Sequence, residues 1–130
     1  MFKASMTATL ARLVKSGKEI IFFIAIPELG FDPALCLKPR LFSTVERKQD
    51  CKILKEDFKK RNADYISTVT SVLKAFPTVK VFEQSKYLCD EKYCHARIDG
   101  KMIYRDDDHL SYEGSRFMSE KFRQEFNSNR

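Results

Sequence analysis

The sequence predicts an α/β layered fold, and three observations predict it. An amphipathic helix runs directly into an uninterrupted apolar strand, a second helix and strand repeat that order, and a third amphipathic helix closes the chain. A strand without polar alternation needs cover on both faces, and helices supply that cover in an α/β architecture.

In the first helix Phe2, Met6, Leu10, Leu13 and Val14 recur at helical spacing, and Gly17 stops it. Glu19 to Ile26 is β-branched and aromatic, which predicts a strand buried on both faces of a parallel sheet and ended by Pro27. Residues 28 to 56 read as irregular, with Gly30, Pro33 and Pro39 as punctuation and Cys36 and Cys51 near the two ends. A loop of that length needs a tether. A second helix is predicted from about Glu56 to Phe76, with Phe58, Ile66, Val69, Leu73 and Phe76 on one face and Pro77 closing it. Thr78 to Phe82 reads as the second strand, Cys89 and Cys94 fall in a polar loop, and the Asp99-Gly100 pair marks a tight hairpin within Arg97 to Ile103. The last helix is capped by Ser111 and buries Phe117, Met118, Phe122 and Phe126, opposite a solvated face of Glu113, Arg116, Glu120 and Arg123. There is no internal repeat and no low-complexity segment.

A chain of 130 residues and 15.2 kDa suits a single domain over residues 1–130. Hydrophobic residues at 43%, with 11 Phe and 5 Tyr, supply a core and argue against disorder. Twenty-four Lys and Arg against eighteen Asp and Glu give +6, which raises the possibility of a small basic nucleic-acid binder. The basic residues are scattered, Lys59-Lys60-Arg61 being the densest cluster, so the expectation is a solubilising surface and no nucleic-acid partner. The longest apolar run, Ile20 to Ile26, is far short of the roughly 20 residues that span a bilayer. Met1 to Thr7 lacks the succession of a secretory signal, so export would depend on something upstream.

His109 stands three residues after Asp106, between the hairpin and the last helix. Imidazole accepts and returns a proton near neutrality, and a carboxylate on its other nitrogen fixes the tautomer and stabilises the imidazolium. The competing reading is a solvated acidic turn. For the four cysteines, pairing within each couple gives Cys36–Cys51 and Cys89–Cys94 disulfides, the longer worth on the order of 3 kcal/mol in the loop-entropy model. A zinc site on Cys89, Cys94 and His95, or buried free thiols, are the alternatives. His95 itself reads as a partly exposed polar residue.

The block Tyr104-Arg105-Asp106-Asp107-Asp108-His109-Leu110-Ser111-Tyr112-Glu113-Gly114-Ser115 resembles the last block of the SGNH (GDSL-like) hydrolases. More narrowly it resembles the extracytoplasmic SGNH domain at the C-terminus of membrane acyltransferases that O-acetylate lipopolysaccharide O-antigen and related glycans. There the block reads Tyr-x-Asp-x-x-His-Leu-Ser followed by a Gly and a helix, after a Cys pair and a short hairpin. The strand ending at Ile26-Pro27-Glu28 resembles the segment after that family's fourth strand, so the likeness spans most of the chain.

The resemblance implies a three-layer, flavodoxin-like SGNH-hydrolase fold, incomplete and corresponding to its C-terminal portion. It makes His109 the general base and Asp106 its orienting carboxylate, with Asp107 and Asp108 at variable positions. The implied activity is acetyl transfer or ester hydrolysis on a cell-surface glycan, with no metal or dissociable cofactor required. The implied setting is periplasmic or extracellular-facing, tethered to the inner membrane through an acyltransferase region absent from this chain.

The departure is at the nucleophile. Gly17, Gly30, Gly100 and Gly114 are the four glycines, and none precedes an Asp-Ser pair. No element resembling Gly-x-Asn-Asp is present either. The expectation is therefore an upstream segment that bears the Ser, because two main strands fall below the usual sheet size. The alternative is a non-catalytic remnant acting as a binding or interaction module. Ser111 reads as a helix cap and Ser115 as a surface residue rather than as substitute nucleophiles. Tyr104 and Tyr112 can either line a substrate face or anchor the loop, and Glu28 is placed at the carboxyl end of the sheet, where α/β folds bind ligands.

Overall fold

A computed structural model describes residues 1–37 and 50–127 of the chain. Pro39 and the centre of the irregular segment lie outside the described residues. The chain divides into two compact units, Met1–Ile24 with Lys59–Glu83, and Ala25–Phe58 with Gln84–Arg130.

The first unit has the expected α/β character. Helix α1 (Phe2–Lys15) ends at Ser16, and Gly17 follows at φ +73°, the left-handed conformation that glycine takes without strain. Strand β1 (Ile21–Ile24) pairs in parallel with β3 (Lys80–Glu83), Ile21 facing Lys80 and Ile24 facing Glu83. Helix α3 (Ala63–Leu73) packs beside α1. Met6 and Leu10 from α1, Ile24 from β1, Val69 and Val72 from α3, and Val79 form one buried core. The expectation that the first strand is buried on both faces is corrected. It is shorter than predicted, and Phe23 is 47% exposed, its ring meeting that of Phe82 at 5.1 Å. The apolar run encodes a strand, but its alternate residues do not share one environment.

The second unit contains more order than the sequence suggested. A 3₁₀ turn, Pro33–Cys36, is capped by Asp32, whose carboxylate accepts from the Ala34 N–H at 2.8 Å. Strand β2 (Lys52–Leu54) pairs antiparallel with β4 (Tyr93–His95), where an irregular stretch and a polar loop were expected. Cys36 is joined to Cys51 and Cys89 to Cys94. With their sulfurs joined, Cys89 and Cys94 offer no thiolate to zinc. Ile53, Phe58 and Cys94 make one buried cluster here, with Phe31 and Cys89 against it.

The long second helix of the sequence reading is two helices, α2 (Lys55–Arg61) and α3, separated at Asn62. Phe58 is buried with Ile53 and Cys94, whereas Val69 and Val72 are buried with Met6 and Leu10. One apolar stripe in the sequence thus serves two cores.

Helix α4 (Ser85–Leu88) precedes the Cys89–Cys94 bridge. The predicted hairpin is present, β5 (Arg97–Ile98) against β6 (Lys101–Met102). Asp99 and Gly100 both have positive φ, +48° and +76°, as a two-residue hairpin turn of this hand requires. Helix α5 (Tyr112–Asn127) ends the described chain. No helix among the described residues is long and apolar enough to cross a membrane.

Candidate active site

The loop from Tyr104 to Ser111 is held at both ends and at its middle. Tyr104, 1% exposed, donates its hydroxyl to the Pro27 carbonyl at 2.7 Å, and burial pushes its phenol above the ordinary value. Tyr104 is therefore the anchor of the two roles considered for it. It also bridges to Leu110, and the Arg105 N–H donates to the His109 carbonyl at 2.9 Å, closing the loop on itself. The Leu29 N–H donates to the Asp107 carbonyl at 2.7 Å. The segment that follows β1 is thus tied to the loop on both sides of Glu28, which is itself exposed.

At the far end Ser111 begins α5. Its hydroxyl accepts from the Gly114 N–H at 3.0 Å, the N-cap geometry expected, and donates to the Met102 carbonyl at 2.6 Å. The Ser111 N–H donates to the Ile103 carbonyl at 2.8 Å. Gly114 lies so close to the hairpin that a Cβ there would stand 1.9 Å from the Ile103 carbonyl oxygen. Only glycine fits that contact. These hydrogen bonds leave Ser111 committed to the cap.

Within the loop His109 and Asp106 meet. Nδ1 of His109 lies 2.9 Å from Oδ1 of Asp106, and the same oxygen accepts from the His109 N–H at 2.8 Å and the Asp108 N–H at 3.3 Å. Arg105 donates through Nε and a terminal nitrogen to the other carboxylate oxygen, both at 3.2 Å. Partial burial alone would push the Asp106 carboxyl up, but the hydrogen bonds from His109, Asp108 and Arg105 together outweigh it and hold the group well below its ordinary range. The Asp106 hydrogen bond, then the charges of Asp106 and Asp108, raise the His109 pKa above its ordinary 6.5. The imidazole remains 60% exposed. With Nδ1–H donating to carboxylate, the lone pair is on Nε2.

Asp108 was placed at a variable position, yet its Oδ1 lies 2.8 Å from the same Nδ1. Asp106, Asp108 and His109 bring one ligand atom each within 4.8 Å of one another, a set that resembles part of a cation site. A metal on Nδ1 would have to displace the proton shared with both carboxylates, and exposed acidic turns adopt such geometry without one. The loop is therefore read as an acid-base pair.

A second imidazole–carboxylate pair was not anticipated. His95 Nε2 lies 2.7 Å from Oδ2 of Asp90, whose Oδ1 accepts from the Lys92 and Tyr93 N–H groups, both at 2.7 Å. The Tyr93 hydrogen bond first, then those of His95 and Lys92, hold Asp90 well below its ordinary value. These contacts close the turn between Cys89 and Cys94. An Asp directly after the first Cys was the available signal, since Asp side chains commonly bond the backbone two residues on.

The chain matches the SGNH domain family (SGNH domain fused to AT3 domains) over residues 1–124. It belongs to the SGNH domain family. No curated protein and no solved structure matches it. The SGNH family gives the chain acyl transfer or ester hydrolysis as its general class of chemistry. Paired cysteines fit an oxidising, extracytoplasmic setting.

Proposed function

We propose that residues 1–130 form the C-terminal portion of an SGNH domain and supply the acid-base half of an acetyl-transfer site that acts on a cell-surface glycan such as lipopolysaccharide O-antigen. A segment upstream of this chain supplies the Ser nucleophile, and a membrane acyltransferase domain tethers the whole to the inner membrane, facing the periplasm or the exterior. The observation that carries this reading is the contact of His109 Nδ1 with Asp106 at 2.9 Å on an imidazole left open to solvent.

In the mechanism, Nε2 of His109 takes the proton of the Ser hydroxyl as its oxygen bonds to the acetyl carbonyl carbon. Asp106 stabilises the imidazolium. Collapse of the tetrahedral intermediate breaks the bond to the leaving alcohol, which takes the proton back from Nε2. The acetyl-Ser then meets a glycan hydroxyl or water, deprotonated by the same nitrogen, and the second collapse releases Ser with its proton. His109 ends as it began, so no oxidant, metal or dissociable cofactor enters the balance.

The test is hydrolysis of a nitrophenyl acetate by the protein extended to include its upstream Ser segment. Turnover that His109→Ala abolishes is expected. Turnover unaffected by His109→Ala contradicts the reading, and no turnover by the extended protein favours the binding-module alternative, to which the lack of a Gly-Asp-Ser turn in this chain points.

A further inference from the structure

The two units divide the charge of the chain unequally. Basic residues that are scattered along the sequence gather in the first, Met1–Ile24 with Lys59–Glu83, where nine of them meet only three acidic residues, Glu19, Asp64 and Glu83. The other fifteen basic residues share the second unit with fifteen acidic ones, so the whole net charge of +6 belongs to the first. Lys80 is paired with Glu19. Lys3, Arg12, Lys15, Lys18, Lys59 and Lys74 are exposed and make no ion pair among the described residues.

Helices α1 and α3 display much of this charge. They lie side by side and run the same way, with the Phe2 and Tyr65 rings 6.1 Å apart and both helices leading into strands that pair in parallel. Their inward faces carry Met6, Leu10, Val69 and Val72. On the outward face of α1, Ala4, Ala8, Ala11 and Lys15 follow one another at helical spacing, and on α3 Ser67, Ser71 and Lys74 do the same, all of them exposed. Each row ends in a lysine at the same end of the layer, with Arg12 in the same last turn of α1 and Lys18 just beyond it. The short Ala and Ser side chains leave the longer basic ones to make first contact with a flat surface. Phe2 and Leu13, 53% and 43% exposed, add apolar area beside them.

A cationic layer of this kind is complementary to an anionic bilayer, where each Lys or Arg near the surface strengthens binding about fivefold. The paired cysteines, which fit an extracytoplasmic setting, favour lipid over nucleic acid as the anionic partner. We infer that the outer faces of α1 and α3 dock on the anionic phospholipid of a bilayer surface. This contact is separate from any tether and does not depend on the acetyl-transfer reading.

The test floats the 130-residue chain with vesicles of equal parts phosphatidylglycerol and phosphatidylcholine, and with vesicles of phosphatidylcholine alone. Binding to the first and not to the second is expected, weakening as salt is added. Arg12→Gln, Lys15→Gln and Lys74→Gln combined should weaken it on the order of a hundredfold. Arg12→Lys, Lys15→Arg and Lys74→Arg combined, which keep the charge, should bind as the parent does. Lys92→Gln, Arg116→Gln and Arg123→Gln combined remove the same charge from exposed positions of the second unit and should leave affinity near the parent value. Equal losses in the two Gln variants, or equal binding to neutral and anionic vesicles, would overturn the docking surface. So would tighter binding to duplex DNA than to the anionic vesicles, which would make the partner a nucleic acid. Binding that vanishes once the upstream Ser segment is attached overturns it as well, because that segment then covers the layer. Acyl transfer by the extended protein is measured separately and decides only the chemistry.

Discussion

Two carboxylates face one proton on Nδ1 of His109, and their contributions are unequal. Asp106 acts through a hydrogen bond and its charge, and Asp108 through its charge alone. Asp106→Asn should therefore lower the imidazole pKa toward 6.5 more than Asp108→Asn does, an order that an NMR pH titration of His109 reads directly. A base must be neutral to work, so the rate of the extended enzyme should climb with pH through a midpoint above 6.5. In Asp106→Asn that midpoint should fall, and the rate should drop roughly a hundred- to ten-thousand-fold, the usual contribution of a positioned acid-base group. The same shifts set the sign of the stability dependence. The raised imidazole contributes stability fully below its ordinary 6.5, lost as pH rises through its folded value. The lowered Asp106 contributes above its ordinary 3.8, lost as pH falls through its folded value. Unfolding followed across pH should show the loop's contribution present between those limits and declining beyond each.

At the scale of elements, the junction of hairpin and α5 holds the loop in place. Gly114→Ala forces a Cβ to 1.9 Å from the Ile103 carbonyl oxygen, a backbone atom that cannot swing aside. Overpacking of this kind costs about 3 kcal/mol, which in a domain of this size lowers a thermal midpoint by on the order of 10 °C. Ser111→Ala removes the cap and should cost about 1 kcal/mol. Both variants leave Asp106 and His109 intact, so calorimetry distinguishes them from changes to the chemistry.

The hairpin was legible because Asp-Gly admits two successive positive φ values, and the cap because Ser111 precedes a clear helical period. The Asp106–His109 contact was legible because three residues of one loop suffice to join them. The break at Asn62 was not legible. Phe58 and Val69 continue one stripe, and only the tertiary structure assigns them to different clusters. Strands β2 and β4 escaped for a related reason: each is three residues long, and their pairing joins segments about forty residues apart, which no local pattern encodes. Pro27 and Leu29 escaped too, since their role is a backbone carbonyl and a backbone N–H.

For the molecule as a whole, the second unit combines short strands and one substantial helix with two cystine bridges. Thiol labelling of the denatured, unreduced protein should find no reactive cysteine, and labelling after reduction should find all four. Four labels before reduction would remove the cystines and, with them, the argument for an oxidising compartment. The same unit carries the complete His109 loop, while the serine hydroxyls nearest it in sequence are those of Ser111, committed to the cap, and Ser115 on the helix surface. The central claim is a division of labour, in which this chain gives the base and an upstream segment gives the nucleophile. Its most direct measurement is the position of the acetyl group after brief exposure of the extended protein to an acetyl ester, read by peptide mass spectrometry. The account predicts the adduct on a serine upstream of this chain, dependent on His109; an adduct on Ser111 or Ser115, or formed equally in His109→Ala, would contradict it.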